Sequence, residues 1–542
     1  MKKINQYKLL AGACALTLLS ACNYEEINTN PFEMTDEMGK WDGVAVGGSI
    51  TAMERAVYTV GTQADDTKII NEYQNAYHLS GDVWSGFFGE NNSAGWYSGQ
   101  NHTTFYLQDT WISATYKNTY TELLSSWKSL KQEAEKADTP DVFALAQILK
   151  ISAWHKTLEC FGPIPYTHAG EAALVIPFDS EKTVYESMFK DLTAAIDELT
   201  PKALAGALIV SDYDAVYAGD LMKWVKYANS LMFRLAMRVR FADEEMAKKY
   251  ALQAITHKIG VMTAKSDEAQ MSTGAGMVFR NNIYWLSEQY NEARMGSSMY
   301  SYLLGYNDPR LSAYFLPSTS EYAEEAFDKK KYQAVPPGHT WAKNTTLELF
   351  SKPNIVSSTP TFWMRASEVY FLRAEAALKW KGEFGDATSW YKQGVAMSFE
   401  ENGVSSSVDT YLASGKKPVE HILKAGSYTY SATAPTTATA EFSGTDEQKL
   451  EKIMIQKWIA LYPNGQEAWT EWRRTGYPKL NQVITNRGQN QGVTKTGGIR
   501  RMVYPTSFSQ SKDDMANYTE AVSYLSDGKD SPVTKLWWDC KK

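Results

Sequence analysis

The chain has 542 residues, a formal net charge of −7 and 44% hydrophobic residues, with lysines and arginines scattered rather than clustered. Length alone argues for more than one domain, and mild acidity without a basic stripe argues against a nucleic-acid footprint. Aromatic residues reach 13%, with 17 Trp and 33 Tyr, rings that suit core packing and equally suit stacking on sugar faces.

In chain order, Lys2, Lys3 and Lys8 come first, then an apolar run from Leu9 to Leu19 that closes on Leu19-Ser20-Ala21-Cys22. A basic head, a short apolar core and small residues before a cysteine predict a bacterial signal peptide over 1–21. The ending resembles a lipobox, which implies cleavage before Cys22 and acylation of its sulfur and new amino group. The alternative is an ordinary cleaved signal in which Cys22 is incidental. A membrane span needs about 20 apolar residues, and this core has barely half that. Residues 22–40 read as a lipidated tether. Within it, Asn23-Tyr24-Glu25-Glu26 resembles the acidic export signal of outer-membrane surface lipoproteins, or is simply a solvated linker. A single large domain is expected over 41–542. Beyond Cys14 and Cys22 only Cys160 and Cys540 remain, so at most one disulfide is open to the chain, and spacing does not say whether they meet.

Helical periodicity then dominates. Ala144, Ile148, Ile151 and Leu158 share a face within 142–160, and Gly162, Pro163 and Pro165 stop that helix. Val184, Met188, Leu192, Ala195 and Leu199 predict a second helix ending before Pro201. Further helices are expected over 221–239, 367–379, 387–398 and 447–461. Pairs of helices with short Gly or Pro joints resemble tetratricopeptide hairpins, without a clean period of about 34 residues. Arg234, Arg238, Glu368 and Glu375 lie on helices whose other faces are apolar, so helix–helix ion pairs are expected. Arg473 and Arg474, between Trp472 and Tyr477, read as stacked or salt-bridged framework arginines. Between the helices lie long irregular stretches at 80–106, 271–300, 400–446 and 481–505, and loops of that size are more often functional than idle.

Six segments in order carry a family resemblance. They are Asn28-Thr29-Asn30-Pro31; Gln147-Ile148-Leu149-Lys150 running to Phe161-Gly162-Pro163-Ile164-Pro165-Tyr166; and Trp224-Val225-Lys226-Tyr227-Ala228-Asn229 with Arg234 and Arg238. Then come Asn307-Asp308-Pro309-Arg310-Leu311; Ala366-Ser367-Glu368 to Arg373-Ala374-Glu375-Ala376; and Gln456-Lys457-Trp458 with Glu467-Ala468-Trp469 and Trp472-Arg473-Arg474-Thr475-Gly476-Tyr477-Pro478. Behind a lipobox this order resembles the SusD/RagB family of outer-membrane nutrient-binding lipoproteins. The resemblance implies a mainly α, SusD-like fold with tetratricopeptide-like helical hairpins and long decorating loops. It also implies a SusC-like TonB-dependent transporter as partner, an outer membrane reached through the lipid anchor, and a position as lid on the transporter barrel.

No catalytic or cofactor motif is present: no His-Glu-x-x-His, no Gly-x-Ser-x-Gly, no P-loop, and no metal-ligand spacing among the seven histidines. Neither a cofactor nor a catalytic role is therefore expected, although a pair of carboxylates defined only in space would be invisible in sequence. The binding reading rests on aromatics in loops, where Trp or Tyr stacks on a sugar's C–H face and amides or arginines take its hydroxyls. Trp84, Trp96, Tyr97 and Asn101 in one loop, with Tyr284, Trp285 and Arg294 in another, are the candidate glycan contacts. Phe87 and Phe88 read as core. Trp96 and Trp285 are expected to share one concave surface. A peptide binder, or a mainly structural transporter lid, are the alternatives; the identity of a glycan is not in the sequence.

Overall fold

The computed structural model describes residues 44–61, 67–173, 175–510 and 512–542. The signal, Cys22, Glu25, Glu26 and the 28–31 segment lie outside these residues. From Gly47 onward the chain forms one compact unit, so length misleads about domain number here.

The scaffold is a series of antiparallel helices: α1 (Glu122–Ala137), α2 (Pro140–Phe161), α3 (Glu181–Leu204), α4 (Leu221–Arg238), α5 (Glu244–Thr256), α6 (Ala366–Lys379), α7 (Ala387–Glu401), α8 (Asp446–Leu461) and α9 (Gly465–Thr475). Short joints at 138–139, 239–243, 380–386 and 462–464 turn α1 into α2, α4 into α5, α6 into α7 and α8 into α9. Local chemistry sets the ends. The Asp220 carboxylate accepts from the Met222 and Lys223 amides ahead of α4, and Asp243 from Met246 ahead of α5, satisfying first-turn N–H groups that have no helical partner. Thr445 and Gln448 form a capping box on α8. Gly162, at φ 84°, ends α2 in a conformation that side chains resist. The helix α3 departs from expectation by running through Pro201 to Leu204. Leu199 and Ala203 stay buried on the same face there, and that burial outweighs a proline confined to the last turn.

Charges bind the helices together inside the core. Arg238 of α4, fully buried, donates to Glu159 of α2 at 2.9 Å, to Glu467 of α9 at 2.5 Å and to Glu471 of α9. Arg234 forks onto Glu368 of α6 at 2.8 and 2.7 Å. Arg474 forks onto Glu375 at 2.7 Å on both arms, Arg240 reaches the same carboxylate at 2.9 Å, and Lys457 of α8 meets Glu471 at 3.0 Å. Five cations thus meet five glutamates where α2, α4, α6, α8 and α9 converge. The expected helix–helix ion pairs are present. Arg473 lies 3.4 Å from the centroid of the Trp469 ring and donates to the Glu159 carbonyl, a stacked framework role.

Strands are short. β1 (Phe88–Glu90) pairs antiparallel with β2 (Ala293–Met295). The hairpin β3 (His421–Ala425) and β4 (Tyr428–Ala432) turns at Gly426 and gives order to the 400–446 stretch, which the sequence marks only as a surface excursion. Cys160 is buried, Cys540 is exposed, and both are free thiols.

Candidate functional site

The strand pair β1–β2 joins the two aromatic loops. Phe88 faces Met295 and Glu90 faces Ala293. Beyond the strands, the Asn91 amide donates to the Glu292 carbonyl at 2.9 Å, and the Asn92 side chain donates to the Glu292 carboxylate at 3.1 Å. A third loop closes on both: the Ala94 amide donates to the Trp341 carbonyl, and the Lys343 ammonium donates to the Tyr290 carbonyl.

The first loop is built around Asn101. This side chain is fully buried; it donates to the Ser93 and Trp96 carbonyls at 2.8 Å each, and accepts from the Thr103 amide and hydroxyl. Every polar valence of the amide is spent on its own loop, so Asn101 is a framework residue and does not offer the surface contact expected of it. What it frames is the tip. Trp96 is half-buried, and Tyr97 is 48% exposed. Tyr97 and Ser98 sit at φ 50° and 53°, two consecutive side-chain-bearing residues in the left-handed region. Such residues cost about 1–3 kcal/mol each, and persist where the surroundings overdetermine them. The edge contacts of Trp96 and Tyr97 with buried Trp111, centroids 6.1 and 5.8 Å apart, and the Asn101 bonds supply that determination.

Trp84 departs from expectation. It is 6% exposed, its indole N–H donates to the His102 carbonyl at 2.9 Å, and it packs on Trp469 at 4.8 Å. It anchors the loop to α9. Phe87 and Phe88 are core, as expected. Arg294 is also fully buried. It donates to the carbonyls of Ser287, Ala293 and Glu348, and burial pulls its pKa down from the usual arginine value. It is a brace between segments rather than a ligand contact. Tyr284 and Trp285 are half-buried and sit on a short helix, Asn282–Glu288, capped by Asn281, where an irregular loop was expected. The Arg280 guanidinium lies 4.4 Å from the Trp285 ring centroid, and Tyr290 meets that ring edge-on.

Sequence reasoning passed over Trp341. Its ring is half-exposed, stacks on buried His339 at 4.8 Å and meets Tyr428 edge-on at 5.1 Å. Trp96, Tyr97 and Trp341 thus belong to loops tied backbone to backbone, with the Trp341 ring packed against the core cluster of Val335, Leu347, Phe350, Leu423 and Ala425. The only available signal was one Trp in a Gly338-His339-Thr340-Trp341 turn.

The first loop also contributes to a cavity of about 1040 Å³. Trp84 and Phe105 of the first loop, β4 and the 429–435 turn, and the 476–484 and 495–500 segments line it. The irregular stretches 400–446 and 481–505 therefore do converge on a concave feature. Neither Trp96 nor Trp285 lines it.

The described residues thus form a helical core that presents aromatic loops and a cavity. The chain matches the SusD-like family, described as Susd and RagB outer membrane lipoprotein, over residues 26–539, and it belongs to that family. Solved structures agree. A chitin-binding SusD homologue from Flavobacterium johnsoniae is 30% identical, with a TM-score of 0.82 over 92% of this chain and 99% of that one. A SusD homologue from Bacteroides uniformis is 32% identical (TM-score 0.81, 92% and 99% covered). A SusD-like protein from Bacteroides thetaiotaomicron is 30% identical (TM-score 0.81, 92% and 99%). No curated protein matches the chain. Among the described residues no helix is long and apolar enough to cross a membrane.

Proposed function

We propose that this protein binds a glycan on the aromatic rim formed by Trp96, Tyr97 and Trp341, and passes it to a SusC-like TonB-dependent transporter. The protein would be held on the outer face of the outer membrane by lipid on Cys22. The observation that carries the reading is the exposed Tyr97 ring, held at the tip by two left-handed residues and a buried Asn101. An aromatic kept in water against backbone preference has a use outside the fold. Stacking on pyranose C–H faces is the use that fits a broad, polar-tipped ring. The chitin-binding relative supports a saccharide over a peptide. The role is capture, with no bond made or broken.

The test is calorimetry of the purified chain against a panel of neutral oligosaccharides that includes chitohexaose. Trp96→Ala and Tyr97→Ala should each weaken the best ligand by about five- to 150-fold, the range of a hot-spot aromatic worth about 1–3 kcal/mol. Unfolding midpoints should barely move. Wild-type affinity in both variants, or silence across the panel, would reject the rim as the site.

A further inference from the structure

The wall of the 1040 Å³ cavity carries Lys479, Lys495 and Arg500 and not one carboxylate among the described residues. In a chain of net charge −7 that local surplus is unusual. Arg500 has a counter-charge, since it pairs with Asp539 at 2.8 Å and lies over the half-buried Trp472 ring at 5.1 Å. Among the described residues the two lysines have no carboxylate partner, although the Lys479 ammonium lies 4.9 Å from the Tyr477 ring centroid. The Lys479 ammonium donates to the Gly476 carbonyl at 3.1 Å and Lys495 to the Ile484 carbonyl, and both side chains are exposed. Carbonyl dipoles only partly compensate a cation, and a concave wall of one sign concentrates counter-ions.

We propose that this cavity is a second binding site, separate from the aromatic rim, for a glycan segment bearing carboxylate or sulfate groups. Lys479 and Lys495 meet the anion. Tyr430, half-exposed, supplies ring surface, and Trp472, half-exposed beneath the Arg500 guanidinium at 5.1 Å, holds that cation at the wall. Gln482 and Thr433 offer exposed polar groups for sugar hydroxyls. The volume lies at the upper end of small-molecule sites, which suits a short oligosaccharide. Gly498 holds the lip close: a Cβ there would come within 2.9 Å of the Trp472 indole, so the wall admits no side chain at that point. A peptide is less well served, because the described lining offers no carboxylate for a peptide's amino groups.

The experiment is calorimetry of the full mature chain at low salt with four probes: an oligogalacturonate (carboxylate), a heparin-derived hexasaccharide (sulfate), chitohexaose (neutral) and poly-glutamate (acidic peptide). At least one acidic sugar should bind, lose affinity with added salt, and bind at least tenfold more weakly to the double variant K479Q/K495Q and to Trp472→Ala. Which acidic sugar binds separates carboxylate from sulfate as the recognised group. Tyr97→Ala should leave acidic binding intact while weakening chitohexaose, so failure here and failure of the rim reading are distinguishable. Unchanged near-ultraviolet circular dichroism certifies the fold of each variant. The proposal is overturned if neither acidic sugar binds, if K479Q/K495Q binds like wild type, or if poly-glutamate binds as tightly as the sugar with Trp472→Ala silent.

Discussion

The helical core and the 84–105 loop both bury polar side chains, but they satisfy them in opposite ways. In the core, Arg234, Arg238, Arg240, Lys457 and Arg474 each meet a glutamate from another helix, so the cluster points mainly toward neighbouring elements. In the loop, Asn101 and Thr103 bond to the loop's own backbone and to each other, so the segment is locked from within. The first arrangement couples helices and leaves nothing over for a ligand. The second leaves the outer surface of the loop to carry rings that Trp111 meets only at an edge. Ordinary burial rules therefore yield a rigid frame in one place and a rigid presenting surface in the other.

The comparison breaks first, and hardest, in the core. Arg238→Met would strip Glu159 and Glu467 of the guanidinium they share while leaving both buried. Removing one partner of a buried ionic cluster costs about 3–5 kcal/mol. Urea unfolding should show that loss, with glycan affinity of the folded fraction unchanged. A loss below about 1 kcal/mol would mean the cluster does not couple the helices.

The frame also meets the loop at His78, in the π-helical run Gln74–Asp82. The imidazole is fully buried, 3.1 Å from Asp82 and 2.5 Å from Glu90. Burial opposes its charge, but Glu90 and Asp82 prevail and raise its pKa to about 10. With an unfolded value of about 6.5, the folded state holds the extra proton between those limits. The stabilisation is fully present below pH 6.5 and disappears as pH rises through about 10. Wild-type stability should fall over that window, by up to about 1.4 kcal/mol per pH unit at its steepest. The gap between wild type and His78→Gln should be widest near pH 6.5 and narrow toward pH 10. A gap that widens with pH would show that His78 is neutral in the fold.

The loop has its own breaking point. Asn101→Ala removes the bonds to Ser93, Trp96 and Thr103. Each ordinary hydrogen bond nets about 0.5–1.5 kcal/mol, and here the loss falls on one surface segment. The tip should loosen and glycan binding at the rim should drop about tenfold, although Asn101 touches no ligand. Amide exchange at 93–103 should quicken while α2 and α4 stay protected. Unaltered exchange in the tip would refute the internal lock.

How much of this was legible beforehand follows from what each region needs. The helices at 142–160, 221–239, 367–379 and 447–461 were readable because apolar spacing and capping residues are local signals, and the buried Arg and Glu pairs because charges on an apolar face require partners. Pro201 misled because its helix is held by tertiary burial. In the loops, composition identified aromatic-rich stretches but not orientation. Asn101 and Arg294 are polar residues able to reach a sugar, yet a long loop needs the same chemistry for its own carbonyls. Trp84 was taken by the core for the sake of its broad apolar face. Trp341 and the cavity's lysines sit far away in sequence, and backbone bonds from Ala94 to Trp341 and from Ile484 to Pro337 tie their segments to the first loop and to each other.

The smallest expected effect falls on Trp285, and it sharpens the contrast within the rim itself. Trp96 and Trp285 look equivalent in sequence, each in an aromatic, Asn-rich setting. In the structure Trp285 belongs to a short helix, with Arg280 over its ring at 4.4 Å and Tyr290 against its edge. A cation already seated on a ring face competes with a sugar for that face. Trp96 and Tyr97 meet Trp111 only edge-on, centroid distances of 6.1 and 5.8 Å, and Tyr97 keeps nearly half its surface in water. Trp285→Ala should therefore weaken glycan binding less than about threefold, where Trp96→Ala reaches at least fivefold. The double variant Arg280→Ala/Trp96→Ala provides the decisive contrast in calorimetry. If clearing Arg280 restores affinity lost with Trp96, the Trp285 face is a stacking surface masked in the free protein; if affinity stays low, the rim ends at Trp96, Tyr97 and Trp341.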